Sequence, residues 1–189
     1  MPDSNITKRA LAQAMKELMA AHPFSKISVG DICEVCGMNR KSFYYHFRDK
    51  QDLVNWIFES EFVETLQVDE DTSGWSLLAC MCRYFYRERV FYRRALSIEG
   101  QNSFRDYFIQ AIHPFLQVFT QELFHEQDVT VSDFYITFLS DALLASIVRW
   151  LSEPTPMEPD TYLSLCRSLL VALAKSVFRG MPEEFEHDA

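Results

Sequence analysis

Apolar residues along the first sixty positions recur at spacings of three and four, the signature of helices with one buried face. The stripe Ile6, Ala10, Leu11, Ala14, Leu18 and Met19 predicts a first helix from about Asn5 or Ile6 to Ala21, ended by His22-Pro23. Phe24 and Ile27 follow in a short loop and are expected to close over the core. Ser28, with Asp31 three residues on, is a near match to a capping box and starts a second helix. Ile32 and Val35 are expected to face inward there. Gly37 should end this helix with a left-handed turn, and Asn39 is a good N-cap for a third. Phe43 and Phe47, at i and i+4, anchor that third helix to the core. Arg40, Lys41, Tyr44 and Tyr45 are then left to face outward. Asp49-Lys50 opens a longer fourth helix to about Leu66, with Leu53, Trp56, Ile57 and Val63 apolar.

Residues 67–74 are acidic and polar and read as a linker. Helices are expected at about 75–97, 102–124, 131–152 and 160–179. Pro114 should kink or split the second of these. The 131–152 segment is apolar on nearly every side, as in a helix buried all round. The last helix carries Tyr162, Leu165, Cys166, Leu169, Leu173 and Val177 on one face. Two such helices exceed what one small core can cover, so self-association is expected. The candidate interface is Phe138, Ala142, Ile147, Leu165, Leu169 and Leu173. The expected fold is all-α: a three-helix head over residues 1–50, a connecting helix at about 50–66, and a larger helical domain over 67–189.

Charge sharpens this division. The chain of 189 residues has a formal net charge of −9. Residues 1–50 hold eight Lys and Arg against five Asp and Glu, a formal +3. The remaining 10 against 22 leave −12 for the rest. A mildly basic head on an acidic body suits a protein that meets an anion at one end. The five Cys, an odd number, and the lack of a recognisable signal sequence lead us to expect free thiols in a reducing cytoplasm. Cys33-Glu34-Val35-Cys36 is formally a CxxC. A zinc site needs a second ligand pair at matching spacing, so two small buried side chains at i and i+3 are the better reading. No apolar run reaches the ~18 residues of a membrane span. No HExxH, GxSxG or phosphate-cradling glycine loop is found, so neither catalysis nor a cofactor or metal is expected.

The stretch 28–48 carries the chemistry. Two short helices joined at Gly37-Met38-Asn39 form a helix-turn-helix, and the second is basic, hydroxyl-rich and aromatic. Cations there neutralise phosphate or reach base edges, and hydroxyls fix the register on the backbone. Tyr44 and Tyr45 on an outward face beside two cations favour DNA contact over idle surface aromatics. His46 serves as a phosphate donor or as a packed ring at the helix end. In the body, Tyr84, Arg87, Phe104, Tyr107, Phe108 and Phe115 belong to an aromatic, Arg-interspersed set. Such a set forms either a solid core or a cavity for an anionic or aromatic effector.

With Ser28, Ile32, Gly37-Met38-Asn39, Ser42-Phe43-Tyr44, His46-Phe47 and Lys50 in this spacing, residues 5–60 resemble the tetracycline-repressor (TetR) family of bacterial transcriptional regulators. Phe43 to Leu53, followed by Trp56-Ile57-Phe58, also resembles the branch that includes the dihydroxyacetone-kinase operon activator. The resemblance implies a cytoplasmic homodimer, built on the last two helices, that binds double-stranded DNA at a palindromic operator. It implies base contacts at Arg40, Lys41 and Tyr44, and phosphate contacts at Ser28, Ser42, Tyr45, His46 and Lys50. Many members carry a small residue where this chain has Lys41, which leaves that side chain either a base or a phosphate to contact. Gly30 falls where some members place a base-reading side chain, and it can read nothing itself. The expected function is a repressor controlled by a small molecule. The alternatives are an activator controlled by a partner protein and a helical adaptor that does not bind DNA.

Overall fold

The computed structural model describes residues 2–67, 72–98, 103–124 and 133–180; the side chains of 2–3, 122–124 and 173–180 are outside that description. Among the described residues there are nine α-helices, two 3-10 turns and no strand. The head comprises α1 (Pro2–Ala21), α2 (Val29–Val35) and α3 (Arg40–His46), and α4 (Lys50–Glu61) leads out of it. The body comprises α5 (Gly74–Arg87), α6 (Arg89–Ala95), α7 (Phe104–Phe124), α8 (Asp133–Ser152) and α9 (Pro159–Gly180).

The local signals of the head act as expected. Ser28 and Asp31 form a reciprocal capping box: Asp31 N–H donates to Ser28 Oγ at 3.2 Å, and Ser28 N–H to Asp31 Oδ2 at 2.7 Å. Gly37 has φ +68°, which L side chains rarely adopt. Its N–H reaches Glu34 O at 3.2 Å, and Met38 N–H reaches Cys33 O at 2.8 Å. This paired closure is a Schellman motif, and it sets the angle between α2 and α3. Asn39 caps α3 by accepting from Ser42 N–H at 2.8 Å.

Several boundaries and faces differ from the sequence reading. α1 begins earlier, at Pro2, and Ile6 is 65% exposed; the buried stripe is Leu11, Ala14, Met15 and Met19. In α2, Cys33 is buried with Ile32, whereas Val35 is exposed. Ile32 and Cys33 lie in the core, and α2 packs on α1. α4 ends at Glu61, and a 3-10 turn, Val63–Thr65, replaces its expected last turn. The expected helix over 75–97 breaks at Glu88, which adopts φ −99° and ψ 24°. Redirecting the chain there buries Phe91, Tyr92 and Ala95 of α6 and carries Arg94 to the end of α1. Helix α7 runs through Pro114 without splitting. Pro114 and Gln110 one turn before it are both exposed, so water can satisfy the carbonyl that proline leaves unbonded.

α8 is not buried all round. Ile136, Ser140, Leu144, Ile147, Trp150 and Leu151 face inward, while Phe134 and Phe138 are 71% and 61% exposed. Contrary to the sequence reading, α8 is long and apolar enough to cross a membrane, with mean hydropathy 1.4 over an eighteen-residue stretch. A third of that stretch is buried in the bundle, and α8 packs on α5, α6 and α7. Trp150 stacks on Tyr162 of α9 with ring centroids 4.3 Å apart and donates to Met157 O at 2.9 Å, which pins the α8–α9 turn.

One contiguous core runs from Leu11 in the head to Leu163 in α9. Lys16 of α1 bridges head and body, pairing with Glu61 at 2.5 Å and Glu88 at 3.2 Å. The Arg94 guanidinium donates to the Met19 carbonyl and, at 2.7 Å, to that of His22, capping the C-terminus of α1 from the body.

Candidate nucleic-acid interface

Phe43 and Phe47 are buried and hold α3 against the head core. Their i, i+4 placement turns the opposite side of α3 to solvent. Arg40, Lys41, Tyr44 and Tyr45 are all exposed there, Tyr45 to 83%. Ser42 is half-buried at the base of this surface. His46 is also half-buried, with its ring set edge-on to Tyr45 at 4.9 Å between centroids. Ser28 lies exposed at the start of α2, and its hydroxyl oxygen already accepts from Asp31 N–H. It can still donate its proton to a phosphate. Hydrogen bonds with Ser28 hold the Asp31 carboxyl below its ordinary pKa, and Arg40 adds to the effect. Arg40 reaches back over α2: its Nη2 lies 2.5 Å from where a Cβ on Gly30 would stand.

Lys50 departs from the expected phosphate donor. Its ammonium is turned into the loop before α2, donating to Phe24 O and Ile27 O, each at 2.7 Å. It also lies 4.2 Å from the centre of the Phe24 ring. Two of its three protons are thus committed to carbonyls, and partial burial lowers its pKa. Lys50 ties the 3-10 turn Phe24–Lys26 to the start of α4. Lys50→Ala is therefore expected to lower head stability by about 1–3 kcal/mol, the usual cost of losing charge-assisted bonds to partly buried acceptors. Chemical denaturation checks this. The salt dependence of DNA binding is expected to stay unchanged, whereas loss of a phosphate contact would flatten its slope by about one unit.

Sequence reasoning gave no hint of Arg94 and Lys16, whose partners are distant in the chain. Arg48, just beyond α3, was also passed over; it is exposed and pairs loosely with Asp52 at 3.7 Å. Its position, one residue past the Phe47 anchor, was the available signal. In the CxxC, burial raises the Cys33 pKa, which keeps the thiol protonated. The Cys36 thiol donates to Ile32 O at 3.2 Å.

The aromatic set of the body is not a pocket. Phe104 and Phe108 are fully buried against Phe58, with centroids 5.6 Å away in each case. Tyr84 is buried and shares a 2.8 Å hydroxyl contact with Tyr92. Tyr107 donates to Glu59, and Arg87 lies exposed over the Tyr84 ring. Phe115 borders a small apolar pocket of about 30 Å³. Phe104, Tyr107 and Phe108 pack edge-on against Phe58 of α4, and Tyr84 stacks on Phe62. A separate, half-open apolar pocket of about 140 Å³ lies among α5, α7, α8 and α9, lined by Leu116, Leu139, Ala142, Cys166 and Leu169 among others.

The candidate dimer residues also divide. Phe138, Ala142, Leu165 and Leu169 are exposed on α8 and α9, as is Phe134; Ala142 and Leu169 border one pocket, and Phe134 stacks on Phe138. Ile147 is fully buried within its own subunit and cannot meet a partner. The side chain of Leu173 lies outside the described residues.

Comparison with known proteins bears on this geometry. The family model described as "Bacterial regulatory proteins, tetR family" matches residues 8–57, and that described as "Transcriptional regulator C-terminal region" matches residues 75–171. The chain is 30% identical over 155 residues to the HTH-type dhaKLM operon transcriptional activator DhaS of Lactococcus lactis subsp. lactis (strain IL1403), covering 79% of this chain and 81% of that protein. A solved structure of dihydroxyacetone kinase operon activator DhaS is similar with a TM-score of 0.65 and 25% identity, over 90% of this chain and 97% of that one. A TetR transcriptional regulator from Streptococcus agalactiae 2603V shares the fold, with a TM-score of 0.68 and 20% identity over 89% of this chain and 96% of that one.

Proposed function

The chain belongs to the TetR family of DNA-binding transcriptional regulators, and from that premise we propose that it binds a palindromic operator as a homodimer in the bacterial cytoplasm. The observation that carries the reading is the exposed surface of α3, where Arg40, Lys41, Tyr44 and Tyr45 stand together on a helix anchored by Phe43 and Phe47. Ser28, Ser42 and His46 flank it and are suited to phosphate. Lys50 is a positioning residue for the loop beneath them. The head over residues 1–50 does the binding, and residues 67–189 govern it.

Two heads must meet half-sites about one helical turn apart, roughly 34–36 Å, which a dimer through α8 and α9 can provide. Arg40→Ala is expected to weaken the best site by about 1–3 kcal/mol and to relax preference at one base pair per half-site. Binding titrations against single-base variants of a selected site measure this. Equal losses on the selected site and on random DNA would remove Arg40 from base readout.

The sign of control follows the 30% identical relative, named as an activator, ahead of the repression expected from the family resemblance. A reporter driven from the selected operator decides it: deleting the regulator lowers output for an activator and raises it for a repressor. For the signal, the geometry supports a compact apolar effector rather than an anionic one. The half-open pocket of about 140 Å³ is lined mostly by Leu side chains, with Phe119, Ala142, Ser146 and Cys166, and apolar cavities of about 150 Å³ accept benzene-sized molecules. It borders Ala142 and Leu169 on the proposed dimer face, so a guest there can bias the spacing of the heads. A protein co-regulator is the second reading, favoured by the solid aromatic core and the acidic body. Benzene-sized ligands that shift operator affinity support the first reading; none doing so favours the second.

A further inference from the structure

Gly30 occupies the second position of α2, and its backbone does not call for glycine. Gly37 is the glycine with positive φ among the described residues. Glycine is otherwise the poorest helix former after proline. What position 30 lacks is room. A Cβ there would lie 2.5 Å from Arg40 Nη2 and 3.3 Å from its Cζ and Nε. The guanidinium occupies the volume that any other residue's side chain would take.

We propose that Gly30 is a specificity-determining position: by leaving the first turn of α2 bare, it seats the Arg40 guanidinium in one orientation for reading a base edge. The inference rests on the reading that residues 28–50 bind DNA. An exposed arginine at the start of α3 would otherwise sample many rotamers, and that freedom is lost when it engages a base. Base discrimination by arginine depends on its planar fork meeting two acceptors at once, as on the O6 and N7 of guanine. A fork resting on bare backbone is partly oriented before DNA arrives. Asp31, beside Gly30, contributes a carboxylate whose field favours the same placement. Its own hydrogen bonds to Ser28 hold that carboxylate still. The position that contacts no base therefore acts on sequence preference through its neighbour.

The crowding at position 30 involves the far end of a flexible side chain, so a methyl group there displaces the guanidinium rather than the backbone. Gly30→Ala is thus expected to fold and to melt no lower than the parent. The full-length protein and its variants are used to select from a randomised double-stranded DNA library, and the bound sequences are read. The parent is expected to show a preferred half-site. Gly30→Ala is expected to lose roughly tenfold preference at one base pair. Arg40→Ala and Arg40→Lys, the latter keeping the charge without the fork, should lose preference at that same pair. The double variant Gly30→Ala/Arg40→Ala should match Arg40→Ala alone, because the two act as one unit. An unchanged profile for Gly30→Ala, a further loss in the double variant, or failure of Gly30→Ala to fold overturns the seating. A parent that selects sequence while Arg40→Ala keeps the same profile overturns this inference alone. A parent that selects nothing overturns the DNA-binding reading beneath it.

Discussion

Leu169→Asp is expected to leave a folded monomer that no longer holds its operator. Leu169 is 60% exposed in the subunit, so a carboxylate there meets mostly water and should leave the helical circular dichroism unchanged. In a dimer through α8 and α9 the same carboxylate would be removed from water without a partner, at several kcal/mol per ion. An isologous interface repeats this cost on both sides of the two-fold axis. Sedimentation should therefore read one chain mass for the variant against two for the parent at micromolar concentration. Losing one of two linked heads removes the gain from simultaneous engagement, so operator affinity should fall by about a hundredfold or more. A variant that stays dimeric moves the interface away from this face. A monomeric variant that grips a half-site as tightly as the parent grips the operator ends the two-headed reading. Phe134 and Phe138, stacked 6.2 Å apart on the same exposed side, identify the neighbouring positions at which charge should act alike.

The second large effect is on stability. Phe58 of α4 is fully buried and touches rings from α5, α6 and α7, including Phe85, Tyr92, Phe104 and Phe108. Phe58→Ala leaves a cavity among aromatic side chains that are too stiff to close it. Such substitutions cost about 3–5 kcal/mol, a large share of the roughly 5–15 kcal/mol that holds a typical domain folded. For a chain of this length the melting temperature should drop by about 10 °C. Because α4 buries Leu53, Val54 and Ile57 along with Phe58, head and body share its packing. Calorimetry should show them melting in one transition in both proteins. A drop under about 3 °C, or a head that melts separately in the variant, would show that α4 does not couple the two.

The helix-turn-helix was legible because each of its signals acts within about four residues. Ser28 finds Asp31, Asn39 finds Ser42, and Gly37 closes α2 through Glu34 and Cys33. Phe43 and Phe47 share a face by helical period alone. Those local rules sufficed to turn Arg40, Lys41, Tyr44 and Tyr45 outward. The body was less legible because its helices are apolar on more than one side. Periodicity cannot say which apolar side meets its own subunit and which is left open. Ile147 and Phe138 look alike in the sequence of α8, yet one is fully buried and the other 61% exposed. The aromatic residues of the middle helices read as a solid core or a cavity in the sequence, and the structure packs Phe85, Tyr92, Phe104 and Phe108 around Phe58.

Amino-acid sequence alone thus determined the helical class, the caps and turn of the head, and the chemistry of its exposed helix, since each depends on neighbours along the chain. Tertiary structure decided the rest through contacts between distant residues. The break at Glu88 goes with contacts far along the chain: the Glu88 carboxylate meets Lys16, 72 residues earlier, and Arg94 caps a helix end 75 residues before it. Lys50 turns into the loop before α2 because Phe24 and Ile27, far behind it in sequence, present two carbonyls. Gly30 seemed empty in the sequence. It gained a role only when folding laid Arg40 across it, because two short helices at a fixed angle share a volume that neither encodes by itself.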